Sequence, residues 1–337
     1  MATKKVKLER ACELPSEWDG LAAQNGNIYL NRKFLEFIER TEADYTPAYY
    51  LFYDGDKLDS CFIAYKRRGY NVAMFTPISF RISVTLIYLP MSVTASGIIL
   101  GKLRDEVFDE IRRIRGYKMI LNLNDENAPG YATGLTCSKC ILDLSFSSFD
   151  DYLLHLRSHY RNHAKKVFKR AQDISIRYID NRTEFTDEMY EMYLSIQRKS
   201  RIKIETLSAN YFRGDMFKMF VAELDGHVVG FVQLLENGSE LIFEFVGVDQ
   251  EYNEKYPVYH RMLYEIIRYG IDGGFKTIDF GQTADDTKLK LGCHYEELWA
   301  ALHHSSPIIN GFCKLIAPFI EFKPLKTEFR VFREDEE

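Results

Sequence analysis

The sequence predicts an α/β (α+β) fold in two similar domains, each a mixed, mostly antiparallel sheet flanked by helices. Three observations predict it. The runs FKMFVAEL, HVVGFVQLL and ELIFEFVGV are separated by Asp225-Gly226 and Asn237-Gly238. Both dipeptides tolerate positive φ, which suits tight hairpins between alternating strands. A helical run, VYHRMLYEIIRYGID, then leads through Gly273-Gly274 to a short strand, KTIDFG. A weaker copy precedes it: AYYLFYDGDKLDSCFIAYKRR carries a hairpin at Asp54-Gly55, and LGKLRDEVFDEIRRIRGYKMILNL repeats helix, glycine and strand. Gly116-Tyr117-Lys118 there matches Gly274-Phe275-Lys276. The period is domain-sized, so this is duplication and not a solenoid.

A chain of 337 residues exceeds what one core usually serves. We place the domains at 1–146 and 147–337. In the first, residues 30–40 read as a helix with Asn31 as cap. Strands follow near 47–53, 58–66 and 72–76, then a helix near 99–115 and a strand near 117–123. NDENAPGYATG is a polar loop, and CILDLSF a further strand. The second domain opens with one long helix over 151–173. Its residues Leu153, Leu156, Tyr160, Ala164, Val167 and Ala171 form a buried face. A helix at 185–200 comes next, capped by Thr186 or Thr183, and then a loop and short helix over 201–213.

Apolar content of 46% is that of a folded protein, and a net charge of −5 argues against a general polyanion binder. The N-terminal segment has positive charges but no apolar stretch of a signal peptide. The longest apolar tract, IINGFCKLIAPFIEF, is broken by Gly311, Lys314 and Pro318. No run approaches the ~20 residues of a membrane span. A cytoplasmic protein with reduced cysteines is expected. Cys137 and Cys140 form a C-x-x-C without the second pair that zinc requires, and no metal is expected.

The helix over 151–173 also carries a basic stripe, Arg157, Arg161, Lys165 and Lys169, with His155, His159 and His163 beside it. No acid falls between Arg157 and Arg170. Such a surface is either a solvated face or an anion-binding wall for a phosphate-bearing substrate. Three histidines spread over two turns do not converge on one metal ion.

The run R-x-x-Y-R-x-x-x-K-K from Arg157, and the tail F-G-x(6)-K-x-x-x-G through Phe280, Gly281, Lys288 and Gly292, carry a family resemblance. Together they resemble the Fem-like and BioF2-like branch of the GNAT superfamily of N-acyltransferases, over most of 145–305. The resemblance implies tandem GNAT-like domains and transfer of an acyl group to an amine. One departure stands out. Ordinary GNAT enzymes hold the pyrophosphate of acetyl-CoA on a Q/R-x-x-G-x-G/A loop at a helix start. The matching segment here, VDQEYNEKYPVYHRML, has no glycine. Fem-like enzymes also lack that loop and use aminoacyl-tRNA. The donor is therefore acyl-CoA (acetyl-CoA) or aminoacyl-tRNA, and the acceptor an amine of a small molecule or peptidoglycan-precursor-like compound.

Such a reaction needs a deprotonated amine and a stabilised oxyanion. Glu244, in F-E-F of the third strand, should project opposite to Phe243 and Phe245 and serve as base or amine holder. Lys288 matches the family lysine, a flexible ammonium on a loop suited to phosphate or carboxylate. Tyr252 is a candidate oxyanion donor, and Tyr256 lies in the same loop. His260 and Arg261 are placed to meet phosphate. Asp279 ends the strand before Phe280-Gly281. Tyr193 and Arg198 precede the sheet. Two other classes remain open: a non-catalytic binding module that lost its donor site, and a tRNA- or lipid-surface-associated protein using the basic helix.

Overall fold

A computed structural model describes residues 3–91, 93–200 and 205–333. The strands in chain order are β1 (Thr3–Leu8), β2 (Pro47–Asp54), β3 (Lys57–Asn71), β4 (Arg81–Ile87), β5 (Ile98–Ile99), β6 (Tyr117–Leu123), β7 (Ala132–Leu135), β8 (Lys139–Asp143), β9 (Ser175–Ile179), β10 (Phe217–Leu224), β11 (His227–Asn237), β12 (Glu240–Val248), β13 (Thr277–Asp279), β14 (His294–Glu296) and β15 (Trp299–His304). The helices are α1 (Ser16–Gln24), α2 (Arg32–Thr41), α3 (Arg104–Arg113), α4 (Phe149–His155), α5 (Ser158–Arg170), α6 (Asn181–Glu184), α7 (Asp187–Lys199), α8 (Ala209–Phe212), α9 (Gln250–Lys255), α10 (Val258–Asp272), α11 (Asp285–Leu289) and α12 (Pro307–Ile320). Part of the predicted loop over 201–213, residues 201–204, lies outside the described residues.

Two compact units result. The first comprises Met1–Ser138, Arg201–Leu207 and Glu297–Pro324, and the second Lys139–Ser200, Ser208–Glu296 and Leu325–Glu337. The sheet of the first runs β1-β2-β3-β4-β6-β15-β7, with β5 on β3; that of the second runs β9-β10-β11-β12-β13-β8-β14. The two orders correspond strand for strand. Each is an antiparallel meander that crosses through a helix, α3 or α10, to a parallel strand. The next strand is antiparallel in both, β15 beside β6 and β8 beside β13. Each sheet thus takes one strand from the other half of the sequence. Backbone pairing, not chain order, sets the units, which differ in this from a single boundary near 146.

The turn chemistry explains most of the local structure. Asp225 and Gly226 both have positive φ, 50° and 78°, as a two-residue hairpin turn requires. Gly116 (φ 86°) and Gly274 (φ 70°) turn each helix into its parallel strand. Asn31 and Thr186 accept hydrogen bonds at the starts of α2 and α7. One strand is misplaced by the sequence reading. Residues 72–80 form a loop, and the third strand is β4, because the Asn71 side chain accepts from Ala73 and Phe80 N–H and folds the apolar run back.

The predicted helix over 151–173 is two helices. Leu156 and Arg157 are extended between α4 and α5. Leu156 bridges to Phe332, Arg157 N–H donates to the Val331 carbonyl, and Arg333 N–H donates to the His155 carbonyl. The C-terminal segment satisfies the backbone groups that a continuous helix would have used. In the second core, α10 buries Met262, Leu263, Ile266 and Ile267 on one face of the sheet. Helix α7 packs against β11 and β12. No helix among the described residues is long and apolar enough to cross a membrane.

Candidate functional site

Strands β12 and β13 pair only over Glu240–Ile242 and Thr277–Asp279. Beyond that point β12 continues to Val248 while β13 ends, so the sheet opens along one edge of β12. A bulge lies at the same place. Gln233 of β11 opposes Phe245 and Leu234 opposes Phe243, which leaves Glu244 as the extra residue. A bulge re-aims side chains by shifting their alternation. Phe243 accordingly joins the α10-side core, whereas the Phe245 ring packs against Tyr193, Tyr211 and Phe212. Glu244 therefore does not oppose both phenylalanines as the alternation predicted. Its Oε2 accepts from the Tyr211 hydroxyl at 3.2 Å. Gln233 is fully buried near Phe212, and its amide oxygen has no partner among the described residues.

The turn after β13 flanks this opening. A Cβ on Gly281 would stand 3.6 Å from the Phe243 carbonyl. Gly281, Thr283 and Ala284 all have positive φ, 74°, 67° and 53°. Left-handed conformations at non-glycine residues are strained and concentrate where function needs a fixed shape. Two side chains hold the turn. Asp279 is buried, and its Oδ1 accepts from Gly281 N–H at 2.7 Å. Lys288 is buried in α11, and its Nζ donates to the Gln282 carbonyl at 2.9 Å. It is not the flexible loop ammonium the sequence suggested. Burial lowers its pKa, and the nearby Cys140, Cys293, Asp279 and Asp285 oppose that shift. Burial also pushes the Cys140 thiol up to about 12.

Two imidazoles meet at the start of α10. The rings of His163 (α5) and His260 lie 5.4 Å apart. Burial lowers the pKa of both, and Lys290 adds to the shift. The helix starts nearby offer few open donors. Asp249 accepts from Glu251 and Tyr252 N–H at the start of α9, and Asn253 accepts from Tyr259 N–H at the start of α10. An anion at a helix start needs unpaired N–H groups. The residues present do not form a backbone nest for a pyrophosphate; side chains of the histidine cluster are the alternative.

A family model for the acetyltransferase (GNAT) domain matches residues 155–289. This segment is similar to that domain over its 135 matched residues. The solved structures agree on the fold. FemX superposes with a TM-score of 0.56 at 11% identity, covering 88% of this chain and 96% of that one. A tandem GNAT protein from the clavulanic acid biosynthesis pathway gives 0.53 at 12%, covering 91% and 99%. A conserved protein of unknown function from Bacteroides thetaiotaomicron gives 0.50 at 11%, covering 85% and 92%. No curated protein sequence matches the chain. The chain thus shares the fold of these tandem GNAT-like structures, and its 155–289 segment resembles an acetyltransferase domain.

The matched segment brings together Glu244, Asp279 and Gly281 around the parted strands, with Lys288 beneath the turn. Other expected residues take structural places. Arg157 Nε donates to the Phe332 carbonyl and Arg161 to the Leu154 carbonyl, so the basic stripe does not continue across the helix break; Lys165 and Lys169 remain exposed. Arg261 is paired with Glu265 at 2.8 Å and lies over the Phe168 ring, which removes it from phosphate. Tyr193 is buried in the aromatic cluster, Tyr252 and Tyr256 pack against the core, and Arg198 pairs with Glu191. Sequence reasoning missed Tyr211 and Gln233. Both depend on the bulge, which no local pattern announces. Among the described residues no group of three or more His, Cys, Asp or Glu is arranged to hold a metal ion.

Proposed function

We propose that the GNAT domain transfers an acyl or aminoacyl group to an amine of a small molecule or cell-envelope precursor in the cytoplasm, at the opening between β12 and β13. The observation that carries this reading is Glu244 at a bulge on the unpaired edge of β12, hydrogen-bonded to Tyr211. A carboxylate there can hold the acceptor ammonium and take its proton. The amine nitrogen then forms a C–N bond with the donor carbonyl carbon. The C–S bond of a thioester, or the C–O bond of an aminoacyl ester, breaks, and the leaving group takes up a proton. The β12–β13 pairing ends at Ile242, and a backbone N–H along β12 beyond it would suit a developing oxyanion. Asp279 and Lys288 act as positioning residues for the turn at 281–284.

The internally capped helix starts favour aminoacyl-tRNA as donor, with a phosphate accepting from the imidazole N–H groups of His163 and His260. The GNAT match supports acyl-CoA as a second reading, held by the same pair. Thermal melting against acetyl-CoA, longer acyl-CoAs, CoA and mixed aminoacyl-tRNA separates them, because binding to the native state raises the melting temperature. A shift with aminoacyl-tRNA alone supports the first donor, and a shift with a thioester the second. No shift with any donor, alone or with candidate amines, would sink the enzymatic reading.

A further inference from the structure

Helix α12 of the first unit is apolar on two sides, and only one is covered. Cys313 is buried, and Ile309 and Ala317 pack with it against Ala132, Leu302 and Met119. The opposite side carries Ile308, Phe312, Leu315 and Phe319, which are 75%, 62%, 67% and 74% exposed. Their spacing of three and four makes one continuous ridge. Large exposed apolar surface of this kind marks an interaction site. A second apolar tip adjoins it. The loop 72–80 between β3 and β4 exposes Ile78 and Phe80 at 71% and 50%, and its Phe75 packs edge-on against Phe322, just past α12, at 5.5 Å.

The charged residues within these two segments are all cations. Residues 307–320 contain a single charged group, Lys314, and no acid. Residues 66–87 contain Lys66, Arg67, Arg68 and Arg81 and no acid. Lys66, Arg68, Arg81, Lys314 and Lys323 are exposed. This local excess of cations sits on a chain whose net charge is −5. Apolar ridges flanked by Lys and Arg lie in the plane of an anionic bilayer, with apolar side chains among the acyl chains and cations at the headgroups. We infer that α12 and the 72–80 loop form a docking surface for an anionic lipid membrane, on which the first unit lies without spanning it.

The test is cosedimentation of the full chain with phosphatidylcholine vesicles, with and without phosphatidylglycerol. Binding should require phosphatidylglycerol and weaken with salt. Phe312→Glu and Phe319→Glu should each lower partitioning about tenfold or more, since each removes a large apolar side chain from the bilayer. Lys314→Glu should weaken binding to the anionic vesicles. All three positions are exposed, so the folded state is retained, as circular dichroism melting would verify. Absence of binding to anionic vesicles would overturn the inference, as would equal binding by all variants. A concentration-dependent dimer in sedimentation velocity that Phe312→Glu dissolves would assign the ridge to a second copy of the chain instead.

Discussion

The glycine that closes the tail motif, Gly292, offers a direct physical test. Its φ is 100°, and a Cβ at this position would come within 2.3 Å of the Phe332 ring. That half-buried ring packs at 5.5 Å from Phe146 and 6.1 Å from Tyr152, so it can move away only by giving up those contacts. Gly292→Ala therefore meets two costs. The backbone conformation costs roughly 1–3 kcal/mol for a residue with a Cβ. Displacing a packed ring costs a further ~1–3 kcal/mol. The stiffer unfolded chain returns about 0.4–1 kcal/mol. The net expectation is a loss of about 1–5 kcal/mol, read by equilibrium urea unfolding. In a Phe332→Ala background the steric part disappears, and the same substitution should cost about 1–3 kcal/mol less. A loss under about 1 kcal/mol in the intact protein, or an identical loss in both backgrounds, would refute the reasoning.

Other consequences follow from buried charge. Arg261→Ala strands Glu265, which among the described residues keeps Arg268 at 3.6 Å; it should cost about 2–4 kcal/mol in urea unfolding, and leave the salt dependence of donor binding unchanged. Burial raises the Glu205 pKa from the usual 4.5 to about 7, against the pull of Arg67. The folded state then holds a proton that the unfolded chain releases, so stability should fall by about 3 kcal/mol as pH rises through that window. Glu205→Gln should flatten the fall, and an unchanged pH profile in urea unfolding would count against it. Lys288→Met should reduce turnover and also speed amide hydrogen exchange at 281–284, because the pin on the Gln282 carbonyl is lost; unchanged exchange would remove Lys288 from its positioning role.

The parts of the fold legible in the sequence are those fixed by neighbours in the chain. Asp225-Gly226 and Gly274 demand positive φ wherever they occur, and Asn31 and Thr186 cap helices that begin beside them. The parts that were not legible depend on distant partners. Strands β1 and β9, TKKVKL and SIRYI, are charged edge strands whose pairing to β2 and β10 creates them. The break at Leu156-Arg157 is made by residues 331–333, far along the chain. Lys288 stood out by motif, but its burial depends on packing around Cys140 and Cys293. Glu244 was readable as an acid among aromatics; its partner Tyr211 and its face were not, because the bulge arises only when β11 and β12 pair.

The central claim is that the donor's reactive end enters where β12 and β13 part. Hydrogen exchange of the full chain, with and without whichever donor raises its melting temperature, tests this most directly. Protection should appear at the amides of 244–248 and of 281–289. Protection confined to other segments, with those two unchanged, would contradict it.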